Sequence, residues 1–315
     1  MNSDDQLIQV VRQWSTRPLP TGITRLAEAA RARHGGVAAV LFYGSCLREE
    51  RIDEGIADLY LLVDNYHTAF RSHLQAAANR LLPPNVFYLE LPTEGQTLRA
   101  KYAILSLRDF RRGTQIWFHS YIWARFAQPF GLVYARDPET ATLIHRAQAR
   151  AVRTFVHRTL PRLPPVFTAR ELWSTGLNLS YRCELRSERP GTAVRLFDAA
   201  PDFYETVTQL ALSDENGQVR LLSRKSPLCC RHSVSVRKKR LNRLGWGVRQ
   251  IQGKILSVLR LLKGLFTFKN GVNYVLWKIE RHSGVHIEAG PAGQRFPRLA
   301  KCLTVWKLFR KGAFR

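Results

Sequence analysis

Two short apolar segments on either side of a Gly-Ser pair constrain the fold of this chain most. Residues 37–42 form an unbroken apolar run, and residues 56–63 are apolar apart from one acidic residue, Asp58. Apolar runs of this length that are bounded by turn residues are typical of buried strands, because helices need longer segments. We therefore predict two central strands, connected by a loop that begins at Gly44 and Ser45.

Further strands and helices alternate with these two segments up to about residue 160. The predicted strands are 86–91 and 101–105, and the predicted helices are 7–14, 23–33, 68–82 and 107–126. Such alternation predicts a mixed α/β domain in which helices cover a sheet. We place this first domain at residues 1–160.

A Pro-rich segment at residues 162–167 marks the predicted end of the first domain. Residues 161–223 are predicted to form a mainly helical second domain, whose first helix begins with a capping box of Thr168 and Glu171. Residues 224–315 form a basic C-terminal region with an irregular start at 225–243. The predicted helices of this region are 248–265, 270–281 and 298–311.

Positive charge is concentrated in the C-terminal third of the chain. Lys and Arg number 49 and Asp and Glu 24, which gives a formal net charge of +25. From residue 224 onward there are 22 Lys and Arg and only two acidic residues, so this segment carries +20 of that charge. A surplus of this size attracts nucleic acid, anionic lipid or nucleotide phosphates. We expect the C-terminal third to bind this polyanionic partner.

The cysteines and the apolar segments exclude several classes of protein. The five cysteines include no CxxC pair, so we predict neither a zinc site nor a disulfide framework and expect a reducing compartment. The first seven residues include Asp4 and Asp5 and lack the apolar core of a signal peptide. No apolar run reaches the roughly 18 residues that span a bilayer, so any membrane contact is predicted to be peripheral.

The Gly-Ser pair and Asp58 together suggest a site for phosphate and metal. Glycine lets the backbone approach a triphosphate closely, and the Ser45 hydroxyl and nearby N–H groups can hold phosphate oxygens. The Asp58 carboxylate can hold Mg²⁺ against the same phosphates. The nucleotidyltransferase superfamily carries Gly-Ser followed by Asp-x-Asp or Asp-x-Glu, but Tyr60 stands at the second acidic position. The alternative is a Gly-Ser turn between two core strands, with one isolated Asp.

Six further segments resemble one specific family, in the same order along the chain. They are Val-Asp-Asn at 63–65, Val-Phe-Tyr at 86–88, Lys-Tyr-Ala-Ile-Leu-Ser at 101–106, Trp-Phe-His-Ser-Tyr-Ile-Trp-Ala-Arg-Phe-Ala-Gln-Pro at 117–129, Leu-Asn-Leu-Ser-Tyr-Arg-Cys-Glu-Leu-Arg at 177–186 and Lys-Gly-Leu-Phe-Thr-Phe at 263–268. Together with the Gly-Ser and Asp58 segments, they resemble the mitochondrial translocator assembly and maintenance protein family, the soluble-type phosphatidate cytidylyltransferases, which have bacterial relatives. That family has an apolar residue two positions after the first Asp, so Tyr60 is interpreted as a family trait.

The chain departs from the family pattern at four positions. Cys46 replaces the Gly after Ser45, Ala103 and Ala124 replace glycines, and Leu89 replaces an Asn. These changes put the shape of the nucleotide pocket in question.

The resemblance implies a fold, an activity and a location. The fold is a nucleotidyltransferase-like mixed sheet with flanking helices, followed by a mainly helical, winged-helix-like domain and the basic helical C-terminal region. The activity is that of a CTP:phosphatidate cytidylyltransferase, in which the phosphate of phosphatidate attacks the α-phosphorus of CTP. The products are CDP-diacylglycerol and pyrophosphate, and Mg²⁺ is required. The location is peripheral, on the cytoplasmic side of a membrane or on the matrix side of a mitochondrial one.

The resemblance and the chemistry of the side chains together assign the candidate site residues. Gly44 and Ser45, with Tyr43, are predicted to bind the nucleotide phosphates, and Asp58 is predicted to be the principal Mg²⁺ ligand. Glu90 is the candidate for a second metal ligand, with a plain strand-edge acid as the alternative. Lys101 and Arg125 are predicted to be catalytic residues that neutralise phosphate charge. Lys263 is predicted to bind phosphatidate or a triphosphate. For these three the alternative is a surface cation.

Two other parts of the sequence remain open to alternative interpretations. Residues 298–311 form a basic amphipathic pattern, which favours an anionic membrane surface over docking on the protein itself. The aromatic side chains Trp117, Tyr121 and Trp123 are interpreted as core rather than as a base-stacking surface. For the whole protein, the alternatives are transfer to RNA or to another phosphorylated acceptor, and a degenerate nucleotidyltransferase fold that only binds its ligand.

Overall fold

The computed structural model describes residues 2–267, apart from 53–54, 94, 186–189, 214–217 and 224–225. The first sheet has five strands: β1 Val37–Tyr43, β2 Ala57–Val63, β3 Asn85–Thr93, β4 Gln96–Ser106 and β5 Gly131–Ala135. Their order is β3-β4-β2-β1-β5. The pair β2 and β4 is parallel and the other neighbours are antiparallel, so the sheet is mixed.

Helices cover both faces of this sheet. They are α1 Ser3–Ser15, α2 Ile23–Arg31, α3 Ser45–Arg48, α4 Tyr66–Ala69, α5 His73–Leu81, α6 Leu107–Gln115, α7 Trp123–Phe126 and α8 Pro138–Thr159. Alternate residues of β2 belong to different cores, because successive strand side chains point to opposite faces. Leu59 and Leu61 pack with the smaller core around α2, whereas Tyr60 and Leu62 pack with the larger core around α8. The predicted α/β fold class is confirmed.

A mainly helical part with a small sheet follows. After a short 3₁₀ turn, Leu160–Arg162, it contains β6 Val166–Thr168, α9 Ala169–Tyr181, α10 Thr192–Asp198, α11 Pro201–Leu212, β7 Val219–Ser223, β8 Cys229–His232 and α12 Val236–Thr267. The three strands form an antiparallel sheet in the order β6-β8-β7. The predicted capping box of Thr168 and Glu171 is present at the start of α9.

The larger core runs without a break from the first sheet into the helical part. Phe155 of α8 stacks on Trp173 of α9 with ring centroids 4.4 Å apart, and Trp246 of α12 contacts Trp123 of α7 edge-on at 5.8 Å. All four rings are buried. The division at residues 160 and 223 stays a prediction, and the packing across both positions is continuous.

The structure differs from the sequence prediction at the ends of several elements. The predicted helix 68–82 is interrupted before Ser72, whose hydroxyl caps α5 by accepting from Gln75 N–H. The predicted helix 107–126 is interrupted between α6 and α7, where Arg158 binds the carbonyl of Trp117. Strand β5 was not predicted, because a five-residue apolar segment gives little periodic signal.

The predicted irregular segment 225–243 is wrong. It contains β8 and the first two turns of α12, which side-chain contacts hold to the body of the protein. Asn242 Nδ2 and Trp246 Nε1 both donate to the carbonyl of Arg158 at 3.0 Å. These long-range hydrogen bonds stabilise a helix that its sequence alone, rich in repelling cations, does not favour.

Two of the predicted C-terminal helices, 270–281 and 298–311, lie outside the described residues. Among the helices that the structure does describe, none combines the length and the apolar character needed to cross a membrane.

Candidate active site

A row of four side chains crosses the first sheet at one level. Tyr43 of β1 is opposite Asp58 of β2, Asp58 is level with Lys101 of β4, and Lys101 is opposite Tyr88 of β3. Side chains that face one another across neighbouring strands point to the same side of a sheet. The structure therefore brings together three of the predicted site residues, Tyr43, Asp58 and Lys101.

The carboxylate of Asp58 lies at the centre of this row. Its Oδ1 atom is 2.9 Å from Lys101 Nζ, and the side chain of Asp58 is only 15% exposed. The same oxygen is shielded from solvent but accepts no well-directed hydrogen bond. The contact with Lys101 is therefore an ion pair, and Asp58 Oδ1 keeps unused capacity to bind a cation or a donor.

Gly44 allows the backbone to pass directly against Asp58. Its φ angle is +94°, a conformation that L-residues rarely adopt. A Cβ atom at this position would lie 2.5 Å from Asp58 Oδ2, well inside van der Waals contact. Ser45, whose side chain is exposed, follows at the start of α3. The predicted Gly-Ser element and its predicted metal ligand are thus in contact.

We expect Gly44→Ala to lower the rate of the predicted nucleotidyl transfer by about a hundredfold, because the new methyl group displaces the Asp58 carboxylate. The unfavourable φ angle should also destabilise the fold by about 1–2 kcal/mol. Steady-state kinetics and urea unfolding measure the two effects. Gly95→Ala is the matched control, because Gly95 also has a positive φ angle but has open space where its Cβ would lie. An equal loss of rate in both variants would contradict a specific role for Gly44.

The four departures from the family pattern are buried in the cores. Cys46, Leu89, Ala103 and Ala124 each have at most 5% of their surface exposed. Burial, followed by the nearby Asp58 carboxylate, raises the pKa of the Cys46 thiol, so the thiol stays protonated. These four side chains therefore contribute to the packing of the cores.

Arg125 of α7 binds four groups beside the row. Its Nη1 atom donates to the Tyr60 hydroxyl at 3.1 Å, and its Nη2 atom is 3.3 Å from a carboxylate oxygen of Glu184. The guanidinium also lies over the rings of Tyr121, at 4.2 Å, and of Tyr43, at 5.8 Å. With its side chain only 13% exposed, Arg125 is not a surface cation.

Tyr60, two residues after Asp58 on β2, is a neutral hydrogen-bond partner of Arg125. Its ring is fully buried and packs 5.3 Å from the ring of Tyr43. Burial raises the pKa of the Tyr60 hydroxyl well above its ordinary value, so the group is neutral. The Tyr60 hydroxyl thus accepts a hydrogen bond that orients Arg125, and it does not serve as a charged metal ligand.

The end of α12 places two basic side chains beside Arg125 and Tyr121. The guanidinium of Arg260 lies 4.1 Å from the centroid of the Tyr121 ring, and its Nε atom donates to the Pro83 carbonyl at 2.9 Å. Lys263 donates to the carbonyls of Leu82 and Pro84. Burial and the neighbouring Arg260 lower the pKa of Lys263 to about 7. The structure thus places Lys263 next to Arg260, and its ammonium is held by backbone carbonyls.

Sequence reasoning missed three residues of this cluster, namely Tyr121, Glu184 and Arg260. Glu184 was part of the segment 177–186, but nothing in its spacing links it to Arg125. A buried arginine requires an anionic or strongly polar partner, so the burial of Arg125 is the signal that identifies Glu184. Arg260 and Lys263 are three residues apart on a helix, which puts them on one face.

The structure does not bring Glu90 to Asp58. Strand β4 lies between them, and Glu90 is opposite Arg99 rather than Lys101. From the spacing of strands and residues, their Cα atoms are about 12 Å apart. The exposed carboxylate of Glu90 instead accepts from the Tyr88 hydroxyl at 2.7 Å and pairs with Arg99 at 3.4 Å. The predicted use of Glu90 as second metal ligand therefore has no support in this geometry.

Within the described part of the chain, no three His, Cys, Asp or Glu side chains cluster as potential metal ligands. Asp53 and Glu54, in the loop before β2, lie outside the described residues. Asp58 is thus the carboxylate on which metal binding can be argued.

Comparison with known proteins shows only distant structural similarity. No protein-family model and no curated protein sequence matches the chain. Among solved structures, it is similar to a nucleotidyltransferase-like protein from Exiguobacterium sibiricum, with 13% identity and a TM-score of 0.26 over 92% of this chain and 90% of that one. The resemblance to the translocator assembly and maintenance family stays a prediction, and the function has to be inferred from the site itself.

Proposed function

We propose that this protein is a nucleotidyltransferase that transfers a cytidylyl group from CTP to phosphatidate, with CDP-diacylglycerol and pyrophosphate as products. One observation carries the reaction type: the Gly44 backbone is in contact with Asp58, whose carboxylate pairs with Lys101 on the adjacent strand. The identity of both substrates is supported by the ordered family-like segments along the chain.

The residues of this site suit the charge and geometry of the reaction. The close approach at Gly44 and the exposed Ser45 hydroxyl suit the phosphates of the nucleotide. Lys101 and Arg125 can neutralise charge that develops on them, and Arg125 is held in a fixed orientation by Tyr60 and Glu184. Nucleotidyl transfer depends mainly on such positioning and charge neutralisation. A phosphate acceptor is already ionised at neutral pH, so it needs no general base.

The described residues fit a magnesium ion. Mg²⁺ usually binds through one or two carboxylates together with phosphates of the substrate. Asp58 Oδ1 is shielded from solvent, and its contact with Lys101 is an ion pair rather than a well-directed hydrogen bond. Gly44, which lacks a Cβ, lets the backbone lie directly against Oδ2. Asp58 would hold the ion. When bound, the ion would neutralise charge on the phosphates.

A second candidate function is a binding module without catalysis. The observation that favours it is Tyr60, which is fully buried at the position of the second acid and is engaged with Arg125. Such a protein would bind a nucleoside triphosphate at Gly44 and Lys101 but would not turn it over.

A direct assay tests the proposed reaction. We expect purified protein, CTP, Mg²⁺ and phosphatidate vesicles to give CDP-diacylglycerol and pyrophosphate in equal amounts, and we expect no product without Mg²⁺. A known phosphatidate cytidylyltransferase, run in parallel, validates the vesicles. Saturable CTP binding without any product would favour the binding module. If label is transferred to RNA or to a soluble phosphorylated acceptor, but not to phosphatidate, phosphatidate is not the acceptor and the proposed reaction changes accordingly.

A further inference from the structure

An apolar stripe runs along the outer face of α12. Its six side chains follow one another at intervals of three or four residues, which places them on one side of a helix. They are Leu241 (59% exposed), Leu244 (68%), Val248 (57%), Ile251 (64%), Ile255 (55%) and Leu259 (44%). Because an α-helix rises about 1.5 Å per residue, the stripe is about 27 Å long.

The opposite face of α12 fixes the helix on the protein. Trp246 is 1% exposed, and Arg249 is 6% exposed and donates to the Phe118 carbonyl at 2.6 Å. A Cβ atom at Gly253 would lie 2.3 Å from the Cys183 carbonyl oxygen, so the helix approaches the body closely there. The packing of this inner face determines which way the stripe points, namely away from the described part of the protein.

The charges on α12 are all positive. Residues 236–263 include nine Lys and Arg and no Asp or Glu. Arg240, Arg243 and Lys254 are exposed, and helix geometry places them along one flank of the stripe. The surface is therefore apolar in the middle, with cations along one edge.

This combination decides between possible occupants. A second copy of the chain would bring two rows of cations together with no acid on either helix to pair them. Residues 268–315 of the same chain are also basic, with ten Lys and Arg and two acids. A nucleic acid matches the charge but not a continuous aliphatic stripe. An anionic phospholipid bilayer matches both, because it offers negative headgroups above an apolar interior.

We propose that the outer face of α12 docks on an anionic phospholipid bilayer, with the stripe in the interfacial region and Arg240, Arg243 and Lys254 against the headgroups. This surface goes beyond the proposed function, because docking needs neither CTP nor turnover. Leu259 precedes Arg260 directly and is four residues from Lys263, and both of these basic residues border the candidate active site. Docking would therefore hold that site close to the plane of the lipids.

Vesicle flotation of the full chain tests the surface. The vesicles are phosphatidylcholine alone, or phosphatidylcholine and phosphatidylglycerol in equal amounts, so that no phosphatidate is present. We expect the unchanged protein to bind the anionic vesicles. Leu244→Glu/Ile251→Glu/Ile255→Glu should lower the partition coefficient about tenfold or more. Arg240→Gln/Arg243→Gln/Lys254→Gln should lower it about a hundredfold on anionic vesicles.

The matched control places the same three new charges elsewhere. Leu74, Ile116 and Leu222 are exposed apolar side chains on other elements, and their triple Glu variant should bind vesicles like the unchanged protein. Unchanged binding by both α12 variants would overturn the proposal. So would a dimer that dissociates in the α12 Glu variant while vesicle binding persists, since the stripe would then belong to a second copy. A loss of thermal stability with intact vesicle binding would assign the stripe to residues 268–315 and equally overturn it.

Discussion

Replacing Asp58 with Asn is expected to lower the rate of nucleotidyl transfer by about three orders of magnitude. The substitution keeps the size of the side chain and removes the charge that Oδ1 presents at the centre of the row. Lys101, the partner of that oxygen, is 44% exposed, so solvent screens much of the ion pair. The loss of the pair should therefore change the free energy of unfolding by less than about 1 kcal/mol. Single-turnover kinetics and urea unfolding on the same preparation separate the two quantities.

Asp64→Asn is the matched control for this prediction. Asp64 follows the opposite end of β2, where its carboxylate pairs with Arg136 at 2.7 Å on the surface. The Asp64→Asn variant should keep its activity within about a factor of two, because a surface ion pair contributes little to stability. A fully active Asp58→Asn variant would exclude Asp58 from the chemistry. If the unchanged protein binds CTP but has no activity, the binding module becomes the better explanation.

Replacing Arg125 with Met is expected to destabilise the protein by about 3–5 kcal/mol, because it leaves the Glu184 carboxylate without its cation in a largely buried position. The side chains of Arg125 and Glu184 are 13% and 20% exposed, so screening by solvent is limited. The Tyr60 hydroxyl loses its donor at the same time. Thermal or urea unfolding measures the loss. Arg170→Met is the surface control, because both Arg170 and its partner Asp198 are about half exposed.

The double variant Arg125→Met/Glu184→Met separates stability from catalysis. It removes both charges, so most of the lost stability should return. If Arg125 also neutralises charge on the substrate, the stable double variant should still catalyse the reaction slowly, with a loss in kcat of about a hundredfold. A stable and fully active double variant would show that Arg125 serves the fold alone. A single variant as stable as the control would contradict the burial of the pair.

The centre of the sheet was predictable from the sequence because its residues carry local signals. The apolar runs around Gly44 and Asp58 predicted β1 and β2, and both strands lie where the pattern indicated. The contact between Gly44 and Asp58 follows from strand pairing, since antiparallel pairing of β1 and β2 puts Asp58 opposite Tyr43, the residue before Gly44. The sequence indicated Lys101 as a site residue, but it did not indicate that Lys101 pairs with Asp58. Parallel pairing of β2 and β4 has no local signature in the sequence.

The parts that were wrong depend on contacts between distant residues. Glu90 is an acid on a strand, but it pairs with Arg99. It therefore lies two residues along β3 from Tyr88, which belongs to the row with Asp58 and Lys101. Arg125 and Glu184 are 59 residues apart in the chain, and only the packing of α7 near the end of α9 brings them together. The first turns of α12 are helical because Asn242 and Trp246 bind the Arg158 carbonyl, which no periodicity of residues 225–243 reveals.

The parallel pairing of β2 with β4 also has a kinetic consequence. Asp58 and Lys101 lie side by side, yet 43 residues separate them along the chain, and β3 and two helices form the crossover. Contacts between distant residues form late in folding, because the entropy of closing the loop must be overcome first. The ion pair at the candidate site can therefore form only after the crossover has closed. If the proposed nucleotide site is correct, the affinity for CTP should return during refolding only when the sheet is complete, and not at the early collapse of the chain.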